Sequence, residues 1–280
     1  MTEHLTEAYA ICGRLVQKHD ADRHAAILFA PQDRRAPLHA LQAFALEIAG
    51  VRGQVKEPLP GEIRLQWWRD VLNGERLDEA SGHPVALAIR DAIVTNRLPL
   101  QALQDLIDAR AGDLYDDPPQ DWNALEGYAG ETSSMLFSLA SIILLHGEAP
   151  GHPDAAGHAG VAYAITGLLR AFPWHARRGQ VFLPKALMQA VDVTHAEIIA
   201  GKDSDALRAA LAEMRRKARE HLNTFLVLKA TLQPEIAPAF LPLLMVEPYL
   251  ARMERHHYSP FVDVIDVLHW QRLWAMWRGR

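Results

Sequence analysis

The sequence predicts an all-α protein, on three observations. Apolar residues recur at steps of three and four along most of its 280 residues. No segment alternates apolar and polar residues for long enough to make a strand, and proline and glycine cluster between the periodic stretches. From Leu38 the positions Leu38, Leu41, Ala45, Ile48 and Val51 follow one helix face. Leu207, Leu211, Met214, Ala218, Leu222 and Phe225 do the same, with Arg215, Arg216, Lys217 and Glu220 on the solvated side. Thr194-His-Ala-Glu197 reads as a capping box that opens another helix. Breaks at Pro58 and Pro60, Pro99, Pro118-Pro119, Gly147 to Pro153, Pro234 and Pro238 mark off about ten helices. No long or low-complexity linker divides the chain, so residues 1–280 are read as one domain.

Composition narrows the functional classes. Hydrophobic residues make up 49% and charged residues 22%, enough to bury a sizeable core. The net charge of −5, without a basic tail, argues against a nucleic-acid partner. A single cysteine, Cys12, excludes an internal disulfide framework and points to a reducing, cytoplasmic setting. The acidic start, Met1-Thr-Glu-His-Leu-Thr-Glu7, lacks the form of a signal peptide. Two uncharged runs, Thr132 to Gly147 and Ala155 to Leu169, fall short of the roughly 20 apolar residues that a span needs, and read as core helices. Membrane contact is then expected to be peripheral. The C-terminal Trp270, Trp274 and Trp277, with Arg272, Arg278 and Arg280, either supply such a contact or close the core.

Fourteen histidines form no HExxH spacing, the adjacent His256 and His257 would face different directions on a helix, and no GxSxG, Walker or dinucleotide glycine pattern occurs. Asp113 and Asp117 stand four apart, a spacing able to hold Mg²⁺ against a diphosphate on one helix face, yet Pro118-Pro119 equally fit a solvated helix end. Gly157, Gly160 and Gly167 in one helix allow close approach of either a neighbouring helix or a ligand. Between Asp154 and Asp192 there is no carboxylate, while Arg170, Arg177, Arg178 and Lys185 supply four positive charges. That stretch fits an anion site as well as a salt-bridged loop.

The string Leu169-Arg170-Ala-Phe-Pro-Trp-His175-Ala-Arg177-Arg178-Gly-Gln-Val-Phe-Leu-Pro184 resembles the second signature of squalene and phytoene synthases. In that family a helix ends with two aspartates four apart, just before an Arg-Arg-Gly-x-Val-Tyr-Leu-Pro-like exit. Here those aspartate positions fall on Ala171 and His175, and a family asparagine falls on Gly167. Phe29-Ala-Pro31, Arg34-Arg35 and Leu41-Gln-Ala-Phe44 are similar to the first signature, whose aspartates fall on Ala49 and Gly53 and whose arginine is Leu46. Tyr128 matches a family tyrosine, and Phe137 stands on a glycine position, where it would project into the prenyl cavity. The likeness runs from about Tyr9 to the C-terminus. Glu62-Ile-Arg64-Leu-Gln-Trp67-Trp68-Arg69, His83-Pro-Val85 and Leu125-Glu-Gly-Tyr128 resemble the branch of mitochondrial complex I assembly factors and their bacterial relatives.

The resemblance implies an isoprenoid-synthase bundle of helices around a central cavity. Such synthases ionise an allylic diphosphate, whose departure is helped by Mg²⁺ held on the aspartate pairs. Alanine and glycine offer no ligand, and neutral imidazole suits softer metals. The expectation is therefore a non-catalytic protein with no cofactor, of the complex I assembly-factor kind, with a respiratory-complex subunit or assembly partner. Arg34, Arg170, Arg177, Arg178 and Lys185, with Tyr128 and Tyr163, are the candidates for holding a prenyl diphosphate or anionic lipid. Its place would be the cytoplasm, with peripheral contact at the inner membrane. The alternative is a prenyl transferase that recruits Mg²⁺ through Asp113 and Asp117.

Overall fold

The computed structural model describes residues 3–279. Met1 and Thr2 lie outside them, as does Arg280, one of the basic residues expected on the C-terminal helix. Among the described residues there are α-helices, short 3₁₀ turns and one π turn, and no strand. In chain order the first helices are α1 (Glu3–His19), α2 (Ala21–Ile27), α3 (Gln32–Gln54), α4 (Pro58–Asn73), α5 (Leu77–Gly82), α6 (Pro84–Asn96) and α7 (Leu100–Ala111). Next come α8 (Trp122–Ala129), α9 (Met135–Leu144), α10 (Pro153–Arg170), α11 (Phe172–Arg177), α12 (Lys185–Ala190) and α13 (His195–Ile199). The chain closes with α14 (Asp205–Leu228), α15 (Ala237–Phe240), α16 (Val246–Arg252) and α17 (His269–Gly279).

The long periodic stretches become the long helices. α14 starts at Ser204, whose hydroxyl accepts from the Leu207 amide at 3.2 Å, and it buries the stripe from Leu207 through Phe225. Thr194 and Glu197 form both halves of the capping box at α13. α10 packs along α14 and against α9, and α3 lies among α1, α4, α6 and α9. Leu41, Phe44 and Ile48 of α3 are fully buried, each burial stabilising by roughly 1.5–3 kcal/mol. The two uncharged runs are α9 and α10, inside the bundle. No helix among the described residues is long and apolar enough to cross a membrane.

The C-terminal helix is held by charge, not by its tryptophans. Arg272 is 3% exposed and Asp22 2% exposed; Arg272 Nε donates to Asp22 Oδ1 at 2.5 Å. The Tyr249 hydroxyl donates to the same carboxylate at 2.8 Å, and Arg272 Nη2 reaches Asp266 at 2.9 Å. Burial pushes the Asp22 carboxyl up, against the pull of Arg170 and Arg272. Trp270, Trp274 and Trp277 are 64%, 53% and 56% exposed, so they do not close the core. Spaced at four and three residues, they share the outer face of α17, opposite buried Met276.

Candidate functional site

A cavity of about 280 Å³ opens between the C-terminal halves of α3 and α10. Ala49, Arg52 and Gly53 come from α3; Tyr163, Ala164, Gly167 and Leu168 come from α10. The stretch after α10 adds His175, Arg178, Gln180 and Phe182, while α7 and the 3₁₀ turn behind it add Arg110 and Asp113. Tyr128 of α8 and Thr132 and Ser133 of the π turn Gly130–Ser134 complete the polar wall. The π turn fits because α10 carries glycine opposite it. A Cβ on Gly160 would lie 2.3 Å from the Ser134 Cα and amide nitrogen, and Ser134 Oγ donates to the Gly157 carbonyl at 2.9 Å. Gly167, by contrast, lines the cavity with open space beside it. Thr132 Oγ1 bonds back to the Tyr128 carbonyl at 2.7 Å, whereas the Ser133 hydroxyl has no partner among the described residues.

Four guanidinium groups reach this cavity. Arg23 of α2 pairs with Asp20 at 3.0 Å and stacks 4.6 Å from the Tyr163 ring centroid. Arg52 grips Asp116 with two prongs, its Nε donating to Oδ1 at 2.9 Å. Arg110 pairs with Asp113 at 3.1 Å, and the Tyr128 hydroxyl donates to the same carboxylate at 3.3 Å. The Arg178 guanidinium has no carboxylate or hydrogen-bond partner among the described residues. Its guanidinium lies over Gly53, where a Cβ would meet Nη1 at 2.9 Å. Burial, then Arg178 and Arg110, push the His175 imidazole down to about 4, so it is neutral near pH 7. Burial likewise raises the Tyr128 and Tyr163 phenols, which stay protonated.

The deep end of the cavity is closed by aromatic rings. Phe137 is buried, edge-on to Tyr163 at 5.9 Å and stacked on Phe240 at 5.4 Å, which stacks in turn on Phe225 at 5.2 Å. The void left beside Phe137 is about 20 Å³, the size of one water. An apolar crevice of about 460 Å³, lined by Phe225, Phe240, Leu241 and Leu244, lies on the far side of the stack.

Arg178, Tyr128 and Tyr163 line the arginine cavity, together with Ala49, Gly53 and His175. Ala171 sits half-buried at the junction of α10 and α11, off its lining. The expectation that Arg170, Arg177 and Lys185 face this cavity is not met. Arg170 lines a separate polar cavity, 3.4 Å from Asp22, 3.7 Å from Asp266 and 3.8 Å over the Tyr249 ring. Carboxylates far away in sequence draw it there. Arg177 points to solvent, and Lys185 heads α12. Arg34, at the start of α3, pairs with Asp33 at 3.0 Å and donates to Asn96 at 3.1 Å. Nothing in the local sequence groups Arg23, Arg52 and Arg110 with the site. The available signals were Arg52 beside Gly53, one turn after Ala49, and Arg110 three residues before Asp113.

The aspartates meant to hold Mg²⁺ in the alternative reading, Asp113 and Asp117, are not brought together. α7 ends at Ala111, Gly112–Tyr115 is a 3₁₀ turn, and Asp116 has a left-handed φ of 56°, so Asp113 and Asp117 share no helix face. Asp113 is taken by Arg110 and Tyr128, and Asp116 by Arg52. Among the described residues no group of three His, Cys, Asp or Glu side chains is placed to hold a metal ion. Mg²⁺ needs hard oxygen ligands in near-octahedral order. Alanine, glycine, a neutral imidazole and four guanidinium groups do not fit it.

The model of the squalene/phytoene synthase family matches residues 16–278. The chain belongs to that family. Among curated proteins, this squalene/phytoene synthase-like chain is 30% identical to human NADH dehydrogenase (ubiquinone) complex I, assembly factor 6, over 89% of its own length and 75% of the relative's. It is 23% identical to the 15-cis-phytoene synthase of Synechocystis over 91% of its length and 79% of that enzyme's. A dehydrosqualene synthase superposes with a TM-score of 0.80 at 16% identity, covering 98% of this chain and 95% of the other. A squalene synthase from Alicyclobacillus acidocaldarius gives 0.75 at 20%, covering 93% and 98%. The fold is therefore shared with squalene and dehydrosqualene synthases, and positions 49, 53, 171 and 175 of this chain carry no carboxylate.

Proposed function

We propose that this chain is a non-catalytic member of its family that serves in the assembly of respiratory complex I. In this reading it holds a phosphate-bearing ligand, a prenyl diphosphate or a phospholipid headgroup, in the arginine cavity. One observation carries the proposal: the Arg178 guanidinium fills the space over Gly53, where the family would place a metal-binding aspartate. A site once organised to hold cations is now lined by them. Guanidinium groups bind phosphate oxygens by charge and fork geometry without any metal. The likeness to complex I assembly factor 6 from several animals supports the assembly role.

Incubation with farnesyl and geranylgeranyl diphosphates plus Mg²⁺ tests the non-catalytic half. No squalene- or phytoene-type product is expected, and product above the no-protein background would overturn it. Deleting the gene in its host should lower the amount of assembled complex I; an unchanged amount counts against the assembly role. The location that fits this role is the cytoplasm with reversible contact at the inner membrane, where the exposed Trp270, Trp274 and Trp277 and the basic Arg278 suit the lipid interface. Recovery of all the protein in the soluble fraction at low salt would refute that contact.

A further inference from the structure

Most of the charge in the arginine cavity is already matched. Arg23 meets Asp20 at 3.0 Å, Arg110 meets Asp113 at 3.1 Å, and Arg52 meets Asp116 through two prongs. Arg178 is the fourth guanidinium and has no such partner among the described residues. His175 adds no charge, because burial and two arginines hold its imidazole at about 4. Glu57 contributes a further negative charge near Arg52 from outside the lining. Four guanidinium groups against three contacting carboxylates leave the site with the charge of a single cation.

A diphosphate ester carries roughly three negative charges at neutral pH, since its inner phosphate ionises once and its terminal phosphate twice or nearly so. Without a metal, this cavity would leave most of that charge uncompensated and facing Asp113 and Asp116. A phosphodiester carries a single negative charge. Resting on the anion-site reading above, we propose that the cavity selects a singly charged phosphodiester over the diphosphate that its fold relatives are built to ionise.

Two further features point the same way. The uncommitted donors include the Arg178 fork and the Ser133 hydroxyl, with Arg110 Nε also unpartnered, and a diester offers two non-bridging oxygens to such a set. The aromatic stack behind Phe137 closes one end, so about 280 Å³ is open to a headgroup and no chain can run into the core on that side, while a neighbouring pocket of about 370 Å³ shares Asp113, Tyr128, Gln180 and Phe182 with the cavity wall. Whatever the diester carries can lie along that pocket or leave through the mouth, where Arg178 is exposed. A membrane phospholipid and a soluble diester meet these conditions equally.

Titration calorimetry on the full chain, free of divalent cations and at fixed ionic strength, tests the selection. The probes are a short-chain phosphatidylglycerol kept below its micelle concentration, glycerophosphoglycerol, inorganic pyrophosphate and farnesyl diphosphate. At least one diester should bind wild type about tenfold or more tighter than pyrophosphate. Arg178→Ala, at an exposed position, should remove that binding with the thermal melt unchanged. Asp116→Asn should free Arg52, raise pyrophosphate affinity by about tenfold and narrow the preference. Lipid binding tighter than headgroup binding assigns the source to the membrane; equal affinities assign it to a soluble diester. Pyrophosphate binding wild type as tightly as the better diester, or no gain for it in Asp116→Asn, overturns the charge selection and leaves the anion site standing. No binding by any of the four anions overturns both.

Discussion

Restoring an aspartate at position 53 tests the cavity from the opposite side. Gly53 lies in the last turn of α3, and a Cβ there would come 2.9 Å from Arg178 Nη1. The contact is with the free end of a long, exposed side chain, which can move by a few tenths of an ångström. The new carboxylate would then pair with Arg178, a surface contact that contributes about 0.2–1 kcal/mol. Replacing a helical glycine adds a few tenths more, and a negative charge near a helix C-terminus takes away about 0.3–1 kcal/mol. The sum is near zero, so Tm should move by no more than about 2–4 °C. Anion binding should respond far more. Neutralising Arg178 removes one charge-assisted contact of roughly 1.5–3 kcal/mol, which is about a 10- to 150-fold loss of affinity. Calorimetry with the diester probe and a thermal melt read both quantities on the same sample. Wild-type affinity in Gly53→Asp, with an unchanged melt, refutes the role given to Arg178. The variant should also gain no Mg²⁺-dependent turnover, because Ala49, Ala171 and His175 still supply no carboxylate.

Three other perturbations probe the frame around the site. Arg272→Ala strands Asp22, which is 2% exposed, without its closest partner, and should cost about 3–5 kcal/mol in urea unfolding; a loss under 1 kcal/mol contradicts the buried pair. Gly160→Ala drives a methyl to within 2.3 Å of the Ser134 backbone and should cost about 1–3 kcal/mol or more, with the π turn displaced; a neutral result means that α10 and that turn are not in contact. His175 and His39 both have imidazoles pushed down to about 4, each first by burial, below the unfolded value of roughly 6.5. The unfolded chain therefore takes up protons first. Their contribution is complete above about pH 6.5 and is lost as the pH falls toward about 4, on the order of 2–3 kcal/mol for His175. His175→Asn should flatten stability against pH in that window, and an unaltered slope would refute it.

How far the fold could be read from the sequence depended on helix length. α3, α10 and α14 run 23, 18 and 24 residues, long enough for the three-and-four spacing to repeat several times. α2, α11, α12 and α16 have six or seven residues, so each shows at most two apolar steps, and periodicity cannot tell them from a loop. The tryptophans of α17 were legible as one face, but not as the outer face. Apolar bulk argued for burial, while the residue actually buried is Arg272. Charged side chains go inside only when paired, and its partner Asp22 stands 250 residues earlier. No local pattern carries that information.

The site divides in the same way. Positions 49, 53 and 175 could be placed by the order of residues around them, because a helix fixes which neighbours share a face. The positive charges could not. Density of arginine along the chain singled out Arg170, Arg177 and Lys185, yet only Arg178 of that run reaches the cavity. The others that do, Arg23, Arg52 and Arg110, come from α2, α3 and α7 and meet only when the bundle closes. The pairs Asp20–Arg23 and Arg110–Asp113 stand three apart and were legible, whereas no neighbour of Arg52 pointed to Asp116, 64 residues on. One link between the two halves was open to reasoning. Gly53 and Arg178 lie against each other across the cavity, and a residue without a side chain at position 53 leaves the guanidinium with nothing there to neutralise it. The absent carboxylate and the uncompensated guanidinium are thus two sides of one contact. That is why a single substitution at Gly53 bears on both anion binding and metal chemistry.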